Sequence, residues 1–343
     1  LRRSLRRECD VAMWRGGEAG HLALTGLGTT VVWDLAWSPD GARLATAGAD
    51  GHVGVWNTTT GTLLTSCRLA DPVTSLAWTP DGDRLVLGGW APRLALWTPY
   101  PVEAPGSAPT ALATPFATIY GVAVSPDGTR VAVAGEANDE EKSALDDYAT
   151  EGLVAILDLV TGTTALVYRG HHAIWTNAVA WSPDGELLAS TGEDDSTVCV
   201  WRARTGQTVS MCSFGSPFHG RQVFSVAWSP DGELVAAGTQ WGLRVYDART
   251  GRQLRQVEEE PRTRRVAWSP DGALLAAVEA PGHPCIYDAA NCELMYEYAG
   301  HPEASPWRGS AVAVAWSPDG VRVATASPEP PAVHIWARPM PDE

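Results

Sequence analysis

One four-residue turn is written seven times along this chain. Ser38-Pro39-Asp40-Gly41 recurs from Ser125, Ser182, Ser229, Ser269 and Ser317, and Thr79-Pro80-Asp81-Gly82 is a one-letter variant. Successive copies lie 40 to 57 residues apart. A period in the forties, with four short apolar runs in each, indicates a four-stranded unit repeated radially. That repeat overrides the two-domain expectation for 343 residues, because a closed ring of sheets is a single unit.

One repeat shows how the residues select their elements. Val31 to Trp37 is rich in β-branched and aromatic side chains, which suit a pleated, packed surface. Pro39 presets the first central dihedral of a type I turn, and Gly41 accepts the left-handed conformation that follows. Arg43 to Gly48 reads as the second strand, Asp50-Gly51 as a hairpin turn, and Val53 to Trp56 as the third strand. Thr60-Gly61 then turns into a fourth strand, Thr62 to Cys67. These four strands are a, b, c and d of a unit.

On these residues the chain resembles the WD-repeat β-propellers. Strand a ends on an aromatic at Trp37, Trp78, Trp181, Trp228, Trp268 and Trp316, with Val124 once in its place. Strand c carries Trp56, Trp97, Trp201 and Trp336, replaced elsewhere by Leu157, Tyr246 and Tyr287. The aspartate that follows this position in the family survives only as Asp158, Asp247 and Asp288. The resemblance covers about His21 to Arg338 and implies an all-β fold, a seven-bladed propeller of four-stranded antiparallel blades.

In that family the first strand completes the last blade and hides open sheet edges. His21 to Thr25 is therefore expected to act as strand d beside a strand c at Val333 to Trp336. Val11 to Trp14 is a surplus c-like strand, and a competing closure uses it and displaces the C-terminal strand. The expected division is a linker or the end of an upstream domain at 1–20, the propeller at 21–338 and a tail at 339–343. Leu1, in place of an initiator methionine, points to a fragment or a processed form.

The bulk charge narrows the range of partners. A net charge of −15 and a pI near 4.9 argue against nucleic acid, whose binders carry a basic footprint. No apolar run approaches the roughly 18 residues of a membrane helix, and the basic segment Leu1 to Arg7 is too short to anchor a chain. Neither nucleic acid nor membrane is expected as a partner, and the isolated domain is expected to be monomeric. Lys142 is the single lysine, and the surplus of Arg, Ala, Gly and Pro suggests a GC-rich, bacterial source. Six scattered cysteines read as reduced thiols of a cytoplasmic protein, with a Cys285–Cys292 disulfide as the alternative.

Three features could carry chemistry. His171, Ser190, Asp195 and Trp201 have the composition of a hydrolase triad, but the resemblance assigns them to a buried hydrogen-bond network, with Asp194 as a substitute for Asp195. The acidic run from Glu136 to Glu151 could attract Ca²⁺, yet it lacks the alternating ligands and central glycine of a calcium loop. It reads as a solvated, partly disordered insertion between strands b and c of the third unit, or as a docking strip for a basic partner. The eight histidines are dispersed, so no metal and no cofactor is expected.

The third feature is a set of aromatics that the repeat does not require. Trp33, Trp90, Trp175, Trp241 and Trp307 all fall in d–a or b–c connections, which share one rim of a propeller. Tyr120, Phe224, Arg221, Arg264, Arg265 and Arg308 fall there too, and tryptophan, tyrosine and arginine are the residues of interface hot spots. These rings either form a binding face or pack within their own loops.

The leading expectation is a non-catalytic scaffold that binds a protein or peptide, or another domain of the same polypeptide, on this face, with the arginines pairing carboxylates. The alternative is the C-terminal sensor or regulatory domain of a larger effector, such as a nucleotide-binding switch protein or a protease. Nothing beyond the fold's general capacity to host sites suggests an enzyme.

Overall fold

The computed structural model describes residues 22–24, 31–99, 108–143, 152–193, 195–213, 222–257, 262–280, 283–301, 313–328 and 331–338. Strand β1 (Leu22–Leu24) comes first, and blade one follows as β2 (Val32–Trp37), β3 (Arg43–Gly48), β4 (His52–Asn57) and β5 (Leu63–Arg68). Blade two is β6 (Val73–Trp78), β7 (Leu85–Gly89), β8 (Arg93–Trp97) and β9 (Thr110–Ala113). Blade three is β10 (Phe116–Val124), β11 (Arg130–Ala137), β12 (Gly152–Asp158) and β13 (Thr164–Tyr168), with helix α1 (Asp139–Ser143) between β11 and β12. Blade four is β14 (Thr176–Trp181), β15 (Leu187–Gly192), β16 (Thr197–Arg202) and β17 (Thr208–Ser213). Blade five is β18 (Val223–Trp228), β19 (Leu234–Thr239), β20 (Gly242–Asp247) and β21 (Gln253–Gln256). Blade six is β22 (Arg262–Trp268), β23 (Leu274–Ala280), β24 (Pro284–Asp288) and β25 (Leu294–Glu297), and the last strands are β26 (Ala313–Trp316), β27 (Arg322–Pro328) and β28 (Pro331–Ala337).

Six sheets are consecutive in the chain, and the seventh is ordered β26-β27-β28-β1. Leu22 lies opposite Ile335 and Leu24 opposite Val333, so the two ends of the ring close as the sequence expects. The surplus segment 11–14 lies outside the described residues, as do the rest of the expected linker and the tail. Cys285 and Cys292 are buried free thiols, so the alternative disulfide is not formed.

The core is divided into wedges between neighbouring sheets. Val198, Val200 and Cys212 of blade four, for example, pack on Val223, Val226 and Trp228 of blade five. Each of the seven blade junctions has a cluster of this kind. Burying both faces of an inner sheet removes apolar area from water at about 25 cal/mol per Å². One blade alone would leave both faces wet.

The recurring turn holds itself together and then frees the strand ends to pack. At the first copy the Ser38 hydroxyl donates to Asp40, while Ser38 Oγ accepts the Arg43 N–H at 3.0 Å and Asp40 Oδ1 accepts the Ala42 N–H at 3.0 Å. Gly41 takes a φ of 68°, which a side chain would strain. The c–d turns use the same device, because Asp158 Oδ1 accepts the N–H groups of Val160 and Thr161 at 2.9 and 2.7 Å. Asn57 Oδ1 does the same for Thr59 and Thr60 in blade one, which is why the family's aspartate can be absent there.

Neighbouring blades are tied by the strand-a tryptophans. Trp37, Trp78, Trp181, Trp228, Trp268 and Trp316 each donate the indole N–H to a strand-a carbonyl of the preceding blade: Ala315, Ala36, Ala123, Ala180, Ala227 and Ala267, at 2.9 to 3.2 Å. Val124 cannot donate. At that junction Thr74 Oγ1 donates to the Ile119 carbonyl at 2.7 Å, and Ser75 Oγ accepts the Val122 N–H at 3.2 Å.

Part of the acidic run differs from its expectation of irregular, solvated chain. Asn138 Oδ1 accepts the Glu141 N–H at 2.9 Å and starts α1. Lys142 Nζ lies 2.7 Å from Glu136, and Arg169 pairs with Glu141, so these carboxylates are already engaged. Residues 144–151 lie outside the described residues.

Two stability measurements test this account. Trp228→Phe keeps the ring but leaves the Ala180 carbonyl without its donor, and should lower unfolding stability by about 1–3 kcal/mol in a denaturant titration. The turn aspartates Asp81, Asp127, Asp184, Asp231 and Asp319 are held below the ordinary 3.8 by the preceding Ser or Thr hydroxyl, and Asp271 falls to about 2 through Ser269 and Arg338. A depressed carboxylate gives its full stability above 3.8 and loses it as pH falls through the folded value. The denaturation midpoint should therefore drop between pH 4 and 2, and Asp271→Asn should be weaker at pH 5 but show a smaller acid-induced drop.

Candidate functional site

Strand a of each blade contacts strand a of the next around the ring, so these strands surround the axis. From blade one to blade six each strand a is broken by a β-bulge, at Val32/Asp34, Val73/Ser75, Ile119/Gly121, Thr176/Ala178, Val223/Ser225 and Thr263/Arg265. The extra residues are Trp33, Thr74, Tyr120, Asn177, Phe224 and Arg264. A bulged residue lacks a cross-strand partner, and its side chain is re-aimed. All six line one cavity of about 400 Å³, joined by Trp90, Glu193 and Arg265. The matching position of blade seven, Val312, lies outside the described residues.

The cavity wall is uneven in chemistry. Trp33 and Trp90 pack with ring centroids 5.8 Å apart at 37°, and Trp90 remains 56% exposed. Arg262 lies over Phe224, its guanidinium carbon 5.2 Å from the ring centroid. Thr74 and Asn177 are wall residues, since their side chains donate to the Ile119 and Val223 carbonyls.

Burial and the nearby Glu136 and Glu193 raise the Tyr120 hydroxyl pKa. On the blade-six side, burial and then the neighbouring charges of Arg262 and Arg265 lower the Arg264 pKa. Burial also raises Asp34, against the pull of Arg265 and the Leu76 N–H that its carboxylate accepts at 3.0 Å.

Six of the candidate residues thus meet in one cavity: Trp33, Trp90, Tyr120, Phe224, Arg264 and Arg265. Trp175 touches Tyr120 edge-on at 6.4 Å without lining the cavity. Trp241, 40% exposed, stands on the b–c turn of blade five and is also not part of the lining. Arg221, Trp307 and Arg308 lie outside the described residues. Sequence reading overlooked Thr74, Asn177 and Glu193. A signal existed for the first two: each sits four residues before the end of strand a, in step with Trp33.

The triad-like residues are sealed in blade four. His171 Nδ1 lies 3.0 Å from Asp195 and Nε2 2.8 Å from Ser190 Oγ, which also accepts the Trp201 indole N–H at 3.0 Å. Asp195 is therefore the acid of this network, while Asp194 lies outside the described residues. Burial alone would lower the His171 pKa, but the Asp195 hydrogen bond and the neighbouring Cys199 carry it up to about 9.

Blade seven repeats the motif with a threonine, a feature the sequence reading missed. His301 Nε2 lies 2.8 Å from Thr325 Oγ1, which accepts the Trp336 indole N–H at 3.2 Å. Tyr168 and Tyr298 stack on Trp201 and Trp336 at 4.4 and 4.6 Å.

The WD domain, G-beta repeat family matches residues 20–57, 61–98, 162–202 and 211–247. Each match is one strand d followed by the a, b and c strands of the next blade, so the sequence repeat is offset from the structural blade by one strand. The chain is a WD-repeat propeller. The unmatched repeats, blades three, six and seven, form the same four-stranded sheets. No curated protein is significantly similar to this WD-repeat chain.

Because the His171 pKa is raised, the stability of its pair with Asp195 is complete below the ordinary 6.5 and is lost as pH rises through about 9. Asp195→Asn should bring the His171 titration, followed by NMR of the ring protons, down by at least one unit. It should also flatten the loss of stability between pH 7 and 9.

Proposed function

We propose that this WD-repeat chain is a non-catalytic interaction module whose axial mouth grips a protein or peptide segment. Propellers of this family are typically interaction scaffolds and generally lack catalysis of their own. The observation that carries the reading is the bulge register, which sends one side chain from each of six blades into a single cavity. Three of those six are aromatic, and Trp90 adds a half-exposed indole beside them. The mouth is lined by indole, phenol, phenyl, amide and guanidinium groups, which anchor by burial and hydrogen bonding.

The partner is a separate protein or another domain of the same polypeptide. We place the protein in the cytoplasm, a reading supported by the free thiols of Cys67, Cys199, Cys212, Cys285 and Cys292, and take the isolated domain to be a monomer.

The test is capture of partners from an extract of the encoding organism on immobilised protein. Trp33→Ala combined with Phe224→Ala should reduce recovery at least tenfold without shifting the melting midpoint, since hot-spot rings contribute on the order of 2 kcal/mol each. Met211→Ser, on the exposed outer strand of blade four, should leave recovery unchanged. Equal recovery by the double variant and the parent would sink the reading.

A further inference from the structure

We infer that the occupant of the mouth is an acidic segment, with a carboxylate side chain held between Arg264 and Arg265 and a neighbouring apolar residue resting on Trp33 and Phe224. This rests on the mouth being the recognition site, and it adds the chemistry of what enters.

The first argument is sign. The chain carries a net charge of −15, yet β22 alone carries Arg262, Arg264 and Arg265, of which the last two line the cavity and the first lies over Phe224 of its wall. Like charges at this spacing repel, and Arg264 stands exposed between Arg262 and Arg265 on the same strand. A folded acidic protein holds such a cluster at a stability cost that a bound anion would relieve.

The second argument is compensation. The acidic groups around the mouth already have partners. Glu136 pairs with Lys142 at 2.7 Å, Glu193 accepts the Gln222 amide at 2.5 Å, and the two Asp34 oxygens accept the Leu35 and Leu76 N–H groups. Arg262 is spread over Phe224. Among the described residues, Arg264 and Arg265 make neither a hydrogen bond nor an ion pair, although the Arg265 charge acts on the buried Asp34 carboxylate. The valence left open at the mouth is therefore positive.

The third argument is shape. A guanidinium offers a planar fork that matches a carboxylate, and two of them can hold one carboxylate from both sides. Arg264 and Arg265 offer two such forks, enough to hold one carboxylate. The indole pair Trp33–Trp90 and the Phe224 ring stand in the same lining, so a residue next to the acid finds apolar surface. A lysine or arginine entering at the same place would meet like charge.

Isothermal titration of the intact chain with four blocked pentapeptides tests this: acetyl-Gly-Phe-Glu-Leu-Gly-amide and versions with glutamine, lysine or phosphoserine in place of the glutamate. The glutamate peptide should bind at least tenfold tighter than the glutamine and lysine peptides. Arg264→Gln with Arg265→Gln should abolish that preference, Arg264→Lys should keep part of it, and Trp33→Ala should weaken the glutamate and glutamine peptides alike. Unchanged melting midpoints would show that each variant folds.

Equal binding of the glutamate and glutamine peptides, tighter binding of the lysine or phosphoserine peptide, or no heat from any of the four at millimolar concentration would each overturn the inference. The first two results, if sensitive to Trp33→Ala, leave the mouth as a peptide site with a different occupant. Binding that ignores Trp33→Ala removes the mouth as the site altogether.

Discussion

The ring stands on the hydrogen bond from the indole that ends six of the seven a strands to a carbonyl of the blade before it. That carbonyl lies at a blade junction, where an unmet acceptor costs about 1–3 kcal/mol. The ring that meets it also fills the wedge between the sheets, so one residue both packs and aligns. An arginine from strand b of the preceding blade covers the same ring in three places: Arg43 over Trp78, Arg130 over Trp181 and Arg322 over Trp37. The last of these also donates to the Thr58 and Gly41 carbonyls at 3.1 and 3.2 Å, tying blade seven to blade one where the chain ends meet. The Val124 junction shows that the requirement is for a tie and not for tryptophan as such, since two hydroxyl bonds from Thr74 and Ser75 stand there instead.

A scaffold fixed in this way leaves one end of the molecule free to vary. The Ser-Pro-Asp-Gly turns cannot change without breaking bonds that set the strand ends, and they occupy one rim. At the other rim the bulge in strand a aims a side chain at the axis whatever that side chain is, as Trp33, Thr74, Tyr120, Asn177, Phe224 and Arg264 show. Backbone register decides position, and the residue type decides the chemistry of the mouth. The two requirements are therefore met by different atoms of the same strand.

This separation explains which parts of the molecule could be read from the sequence. The turns and strand-a aromatics each have a local cause, and the predicted strands of blade one, Arg43 to Gly48 among them, fall within a residue of those observed. The closure through Leu22–Leu24 was equally legible, because an unpaired edge is costly in any register. Membership of the mouth was not. Trp33 and Trp241 looked equivalent as surplus indoles on one rim, but one is a bulge residue at the axis and the other sits on a b–c turn beyond Thr239, whose hydroxyl accepts the Trp241 N–H. Only three-dimensional register separates them. The blade-seven network was hidden for a simpler reason: Thr325 takes the place of a serine, and the oxygen does the same work.

The same reasoning separates the His171–Ser190–Asp195 constellation from the catalysis its composition suggests. A serine nucleophile needs a base to take its proton and an open path to an electrophile. Ser190 Oγ meets His171, but that imidazole, its pKa raised to about 9, already carries a proton at neutral pH, and both Ser190 and His171 are shut off from solvent beneath a stacked Tyr168. The bonds of the group hold strands b and c to the loop before strand a. An arrangement so deeply buried has no open path for a substrate. By contrast, among the described residues Arg264 and Arg265 make neither a hydrogen bond nor an ion pair, and they line the axial cavity beside the indoles of Trp33 and Trp90.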